Sequence, residues 1–136
     1  MPERYLDNRK GIMPKLEIDG VGGVGTVEVE DGRRLVLAVE QDAGVDIMHR
    51  CGGNAKCTTC RVEFAEGEPE RMTQAELEAL KKRGELGNFR LSCQIPCDHD
   101  MKVRPLMRVS QSEADGPGAE PAAEITPEPE WIQKPE

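Results

Sequence analysis

Three cysteines lie within ten residues of this 136-residue chain, in the segment 51–60 (CGGNAKCTTC). Three thiolates meet at one place only if the backbone curls round it, and Gly52 and Gly53 permit this because glycine adopts positive φ without steric cost. A group that takes several thiolates at once is a metal ion or an iron–sulfur cluster. Cys93 follows at a distance and is a candidate fourth ligand. The candidate ligand set is Cys51, Cys57, Cys60 and Cys93.

A four-cysteine zinc site is the main alternative. It would combine Cys57-x2-Cys60 with Cys93-x3-Cys97 and leave Cys51 unused. The glycine-flanked Cys51 favours the cluster, in which case Cys97 is a free thiol or a substitute ligand after cluster damage. The two sites differ in colour, because an iron–sulfur protein is reddish-brown and a zinc protein is colourless.

The two histidines, His49 and His99, raise the possibility of a Rieske-type centre, in which histidines replace two of the cysteines. Such a centre requires paired Cys–His segments, whereas here His-x-Cys and Cys-x-His each occur once. We therefore interpret both histidines as solvated or core-edge side chains. Catalysis by a Cys–His pair is equally unsupported, since the cysteines are better explained together as ligands.

Charge divides the chain unevenly. Residues 1–110 carry 17 basic against 19 acidic side chains, and residues 111–136 carry one against seven. No basic face is available for nucleic acid. The charged N-terminal segment lacks the apolar run of a secretory signal or a membrane span, and five cysteines without an export signal favour a reducing compartment. We expect a soluble cytoplasmic protein with no membrane insertion.

The chain divides into a loose arm (1–12), one folded domain (13–109) and an acidic Pro/Glu-rich tail (110–136), which we expect to be disordered. Trp131 and Ile132 are the apolar exception in this tail, either a docking motif or simply unstructured. In the domain, alternation of polar and apolar residues predicts strands, and a 3.6-residue period predicts helices. The predicted strands are 15–19, 26–30, 61–64 and 101–104, and the predicted helices are 35–42 and 73–83. The segment 89–92 returns the chain toward the cysteine loop and delivers Cys93. Thr73 and Glu76 match a capping box. Strands interleaved with two short helices indicate an α+β domain with a mixed sheet.

The complete pattern, C-x5-C-x2-C-x32-C, resembles the [2Fe–2S] ferredoxins. The five-residue first gap is similar to the vertebrate and bacterial branch that includes adrenodoxin. Further matching segments are AGVD at 43–46, CGG at 51–53, CRV at 60–62 and LSCQ at 91–94. The resemblance covers roughly residues 14–106. It implies a β-grasp fold, with a mixed sheet around a helix and the cluster in an exposed loop near one edge.

The resemblance also implies which thiols share an iron. Cys51 and Cys57 would hold one, and Cys60 and Cys93 the other. The protein would be a soluble one-electron carrier and not an enzyme, passing electrons from a ferredoxin reductase or another donor to an acceptor oxidoreductase. It would be a monomer or a subunit docked through its tail. The alternatives are a structural zinc domain and a tail-tethered subunit of a larger complex.

Charged residues near the cysteines are expected to tune this carrier. Acidic residues of the second helix, Glu76 and Glu78, are candidates for docking onto a basic partner, as in the ferredoxins that the chain resembles. Arg50, Lys56 and Arg61 should raise the reduction potential above the value of about −400 mV typical of the plant-type proteins, because they stabilise the added negative charge.

Overall fold

The computed structural model describes residues 13–135, so the arm predicted for residues 1–12 lies outside the described part. The strands are β1 (Lys15–Ile18), β2 (Thr26–Glu28), β3 (Arg33–Arg34), β4 (Arg61–Glu66), β5 (Arg71–Thr73), β6 (Arg90–Leu91), β7 (Pro96–Cys97), β8 (Met101–Pro105) and β9 (Trp131–Gln133). The α-helices are α1 (Leu35–Leu37), which continues into a π-helical turn (Ala38–Asp42), and α2 (Gln74–Arg83). Short 3₁₀ turns span Ser92–Gln94 and Val109–Gln111.

The main sheet has five strands in the order β2-β1-β8-β4-β6. β1 and β8 run parallel, and the other neighbours are antiparallel. The two-stranded pairs β3-β7 and β5-β9 flank this sheet. The predicted α+β class, with a mixed sheet and two short helices, is confirmed.

The core is aliphatic and lies between the sheet and α1. In β1, Leu16 and Ile18 are buried while the alternate residues are exposed, as the period-two pattern predicts. All three residues of α1 are buried. A helix buried all round belongs to the interior, and this one carries the chain from β3 toward the cysteine loop.

Helix α2 begins and ends where the sequence predicts, but only half of the capping box forms. Thr73 Oγ1 accepts from the Glu76 backbone N–H at 3.0 Å, and Gly84 closes the helix with φ +70°. The Glu76 side chain is instead fully buried and binds Arg90. The docking role predicted for Glu76 is therefore wrong, because a buried carboxylate presents no charge to a partner. Glu78 is exposed, as predicted.

The structure differs from the expectation of a disordered tail. Residues 110–135 lie along the domain, and β9 pairs with β5 so that Ile132 stands opposite Met72. Arg71 stacks on the ring of Trp131 at 4.7 Å. The segment has few apolar side chains, but backbone amides and carbonyls provide many of its contacts with the domain. The two apolar residues of the tail thus dock on the domain itself.

The start of the tail is fixed by Asp46. Its carboxylate accepts from Arg108 Nε at 2.6 Å and from the Ser110 backbone N–H at 2.7 Å. Desolvation alone would raise the pKa of Asp46, but these hydrogen bonds outweigh it and lower the pKa to about 2. The folded protein therefore prefers the ionised form. This contribution to stability is complete above the ordinary pKa of 3.8 and is lost as the pH falls toward about 2.

We expect Asp46→Asn to lower the free energy of unfolding by about 1 kcal/mol at pH 7, since the carboxylate is about a third exposed and solvent weakens the pair. The difference from wild type should shrink as the pH falls from 4 toward 2. Urea denaturation at several pH values measures it. Asp19→Asn, which removes a longer and more exposed pair with Arg104 (3.4 Å), is the control and should change little. A difference for Asp46→Asn that stays constant down to pH 2 would contradict the prediction.

Candidate metal centre

The loop of residues 51–60 winds tightly round a small volume. Gly52 and Gly53 have φ values of +71° and +86°, and the non-glycine residues Ala55 and Thr58 have +60° and +55°. Positive φ is uncommon outside glycine and concentrates at functional sites, where the surrounding structure enforces it. At Gly53 a Cβ atom would lie 2.6 Å from Arg34 Nη2, so only glycine fits there.

Cys51 and Cys57 form the outer, half-buried pair of thiols. The Cys51 backbone N–H points to Cys57 Sγ at 3.2 Å. The backbone N–H groups of Asn54 and Lys56 point to Cys51 Sγ at 3.3 and 3.4 Å. The turn thus directs its amide donors at sulfur.

Cys60 and Cys93 form the inner, buried pair. Cys60 immediately precedes β4 and Cys93 follows β6, and the antiparallel pairing of these strands brings the two together. The Cys93 backbone N–H points to Cys60 Sγ at 3.4 Å, and Gln94 Nε2 lies 3.6 Å from Cys93 Sγ. Gln94 Nε2 also lies 3.3 Å from the Gly53 carbonyl, which links the inner pair to the loop. The structure therefore brings all four predicted ligands into two pairs joined by one loop.

The thiol pKa values reflect these donors. Burial would raise the pKa of Cys51, but the amide donors of the loop outweigh it and lower the pKa to about 7. In the inner pair, the hydrogen bond between the two side chains lowers the pKa of Cys93 and, with burial, raises that of Cys60. The site thus favours the thiolate form at Cys51 and Cys93, one in each pair, and thiolates are the form that binds metal.

Cys97 belongs to a different environment. It lies in β7, and its Sγ contacts the His99 carbonyl at 3.9 Å. Burial, reinforced by neighbouring aspartates, raises the pKa of Cys97 to about 12. Among residues 13–135, no three Cys, His, Asp or Glu side chains surround a point at which a single metal ion could be held. The zinc alternative, which needs Cys97 with three of the other thiols, gains no support from this arrangement.

Both histidines have their ring nitrogens engaged elsewhere. The buried His49 donates to the Ala119 carbonyl at 2.8 Å and contacts a Glu40 carboxylate oxygen at 2.9 Å. The exposed His99 contacts Asp98 at 2.7 Å and the Gly67 carbonyl at 2.8 Å. His49 is thus a core residue and His99 a surface residue, and these contacts do not favour a Rieske-type centre.

Arg34 is the site residue that the sequence did not reveal. It lies at the end of β3 with only 1% of its surface exposed, and its Nε donates to the Cys93 carbonyl at 2.7 Å. Its Nη2 donates to the Gly53 carbonyl of the loop. Burial lowers the pKa of Arg34, although the nearby cysteines oppose this effect. The sequence Asp31-Gly-Arg-Arg34 looks like an exposed turn, and only strand pairing shows that one of these two arginines points inward.

Arg50, Lys56 and Arg61, the three cations expected to raise the reduction potential, are placed less favourably for this than Arg34. The guanidinium of Arg61 donates to the Thr58 carbonyl and hydroxyl and stacks on Phe89, rather than pointing to sulfur. Arg50 and Lys56 are exposed. Water therefore screens their charges more strongly than that of the buried Arg34.

The residues present fit a two-iron cluster. Four cysteines in two pairs would supply the thiolate ligands, and backbone N–H groups point at sulfurs of both pairs. The hydrogen-bond acceptors of Arg34 are uncharged, and within residues 13–135 no salt bridge pairs it with a carboxylate. A buried cation requires a compensating anion, and a cluster bound by four thiolates is negative. When bound, such a cluster accepts and releases one electron.

The mixed sheet, the wound cysteine loop and the paired thiols together define a [2Fe–2S] electron-transfer protein. Residues 18–98 match the family model described as the 2Fe-2S iron-sulfur cluster binding domain. The chain belongs to this family, the [2Fe–2S] cluster is its cofactor, and its function is electron carriage. The resemblance found in the cysteine spacing is confirmed.

Two relatives differ in how much of their own length matches this chain. The chain is 34% identical over 95 residues to terpredoxin from Pseudomonas sp, an alignment that covers 65% of this chain and 90% of terpredoxin. It is 33% identical over 98 residues to one subunit of the Na(+)-translocating NADH-quinone reductase from Methylococcus capsulatus. That alignment covers 68% of this chain but only 24% of the reductase subunit.

Solved structures confirm the β-grasp fold. An ISC-like [2Fe–2S] ferredoxin from Pseudomonas putida superimposes with a TM-score of 0.52 at 27% identity, covering 68% of this chain and 91% of that chain. The Trichomonas vaginalis ferredoxin gives a TM-score of 0.52 at 20% identity, covering 68% and 99%. In the described part of the chain, no helix has the length and apolar character needed to cross a membrane.

Proposed function

We propose that Cys51, Cys57, Cys60 and Cys93 are the four cluster ligands, with the outer pair on one iron and the inner pair on the other. The observation that carries this assignment is the pairing of the thiols, each pair with a backbone N–H directed at one of its own sulfurs. Such donors favour thiolate and stabilise the additional negative charge of the reduced state. Cys97 is a structural thiol in this proposal.

The protein acts as a mobile one-electron carrier between a reductase and an acceptor oxidoreductase, and not as an enzyme. The near-complete coverage of terpredoxin favours a separate carrier over a subunit of a larger chain. The outer thiols are only half-buried, so the loop that holds them is the face through which an electron enters and leaves. The carrier unit is the domain 13–109, with the acidic residues 110–135 folded against it.

We place this carrier in the cytoplasm. A reducing compartment keeps the five thiols available for metal binding, which supports this placement.

A spectrum of the purified protein, before and after reduction with dithionite, tests the assignment. We expect a reddish-brown protein with about two iron and two sulfide ions per chain. Its visible absorption should bleach on reduction, with a rhombic EPR signal. A colourless protein containing zinc, or one with no EPR signal after reduction, would contradict the proposal.

A further inference from the structure

One guanidinium connects three separate parts of the chain beside the cluster site. Arg34 binds the Cys93 carbonyl and the Gly53 carbonyl through Nε and Nη2. Its Nη1 donates to the carbonyls of Ala122 and Glu124 at 2.9 and 3.1 Å. The same side chain therefore holds the inner ligand segment, the cysteine loop and the C-terminal segment.

Residues 117–126, the C-terminal strap, contact residues on either side of the cysteine loop and approach the loop itself at Gly52. The His49 backbone N–H donates to the Pro117 carbonyl at 2.8 Å, and Gln94 Nε2 donates to the Thr126 carbonyl at 2.7 Å. Between these contacts, a Cβ atom on Gly118 would lie 2.5 Å from Arg50 Cα. The strap is thus in close backbone contact with the residues that precede Cys51.

The charge of Arg34 acts on the cluster because no salt bridge within residues 13–135 neutralises it. The guanidinium is 1% exposed, and its acceptors within residues 13–135 are carbonyl and hydroxyl oxygens. In such a low-dielectric position a charge acts strongly on its neighbours. The reduced cluster carries one more negative charge than the oxidised cluster. A nearby buried cation therefore stabilises the reduced state more, which raises the reduction potential.

We propose that Arg34 is a positioning residue that couples the C-terminal strap to the cluster: its charge raises the reduction potential, and its N–H donors latch the strap over the cysteine loop. The strap limits access of water to the site. This inference rests on the proposed ligand set, since it needs the cluster to lie beside Cys93 and Gly53.

Three full-length variants separate the effect of the Arg34 charge from the effect of its hydrogen bonds to the strap. Arg34→Met removes both, Arg34→Lys keeps the charge but loses most of the donors, and Gly118→Val displaces the strap while leaving Arg34 intact. Arg33→Gln is the matched control, because the neighbouring Arg33 pairs with Asp42 at 2.9 Å. Each protein is measured by voltammetry for its potential and by amide hydrogen exchange for protection of residues 117–126.

We expect both Arg34 variants to have strap amides that exchange about tenfold faster, as loss of charged hydrogen bonds implies. Arg34→Met should have a lower potential than Arg34→Lys, because both release the strap and only Arg34→Lys keeps the charge. Gly118→Val should show faster exchange with a raised potential, because entering water stabilises the more negative reduced state. Arg33→Gln should change neither quantity.

Two results would overturn the inference: a potential in Arg34→Met that is not lower than in Arg34→Lys, or unchanged strap exchange in both Arg34 variants. If Arg34→Met does not assemble a cluster, Arg34→Gln, which also removes the charge, takes its place in the same two measurements. Failure of the ligand proposal is distinguishable, because it shows in the wild-type spectrum. Failure of this inference shows only as unchanged potentials or exchange rates in proteins that have the cluster.

Discussion

Replacing Cys93 with alanine abolishes the visible spectrum of the purified protein, whereas replacing Cys97 with alanine leaves it unchanged. This is the expected result because Cys93 pairs with Cys60 and lies beside Gln94 Nε2, while Cys97 lies in β7 and contacts the His99 carbonyl. The two cysteines are both buried and only four positions apart. Their comparison therefore controls for the cost of removing a buried thiol.

The same loss is expected for alanine at the other three proposed ligands, Cys51, Cys57 and Cys60. Iron and sulfide content, measured with the visible and EPR spectra, should fall to background in each ligand variant. Circular dichroism of Cys97→Ala should match wild type, since the change removes a single sulfur atom from a buried site. A cluster retained in Cys51→Ala but lost in Cys97→Ala would contradict the ligand set and would favour the alternative set of four cysteines.

Replacing Glu76 with alanine is expected to lower the free energy of unfolding by about 3–5 kcal/mol. Glu76 is fully buried and accepts from Arg90 Nε at 2.7 Å and from the Leu91 backbone N–H at 2.9 Å. Removing the carboxylate leaves the buried Arg90 guanidinium with the weaker, partly exposed Glu68 pair at 3.3 Å in place of its closest partner. Because Leu91 lies two residues before Cys93, the loss also loosens the segment that delivers the inner ligand.

Chemical denaturation followed by circular dichroism measures this effect, and Glu78→Ala is the matched control. Glu78 lies on the same helix but is exposed, so its replacement should change the free energy of unfolding by less than about 0.5 kcal/mol. The double variant Glu76→Met with Arg90→Met should recover part of the loss, because it leaves no unpaired charge. Equal effects of Glu76→Ala and Glu78→Ala would show that the buried pair is not important for stability.

The sequence predicted β1 and the ends of α2, because the features that determine them lie within a few residues of each other. Alternation marked β1 because one face of that strand is buried. Thr73 and Gly84 marked the ends of α2, since a side-chain cap and a positive φ act within a few residues. The two-residue strands β3 and β7 had no such pattern, because two residues cannot show a period.

The cysteine spacing likewise predicted the cofactor and the family, because four thiols in this pattern serve few other purposes. The spacing did not reveal what surrounds them. Arg34 and Arg33 are chemically identical neighbours, and only the pairing of β3 with β7 decides which one turns toward the site. Glu76 and Glu78 differ in the same way, since helix packing buries one and leaves the other exposed.

The C-terminal segment shows the same division between sequence and tertiary structure. Its composition indicates disorder, because few apolar side chains are available to offset the entropy of ordering. Its backbone instead finds donors on Arg34, His49 and Gln94, which are far away in sequence and meet only in the folded domain. The sequence by itself determined the ligand types and the class of protein. The tertiary structure decided which charges are buried beside the ligands and what covers them, since burial depends on contacts between distant residues.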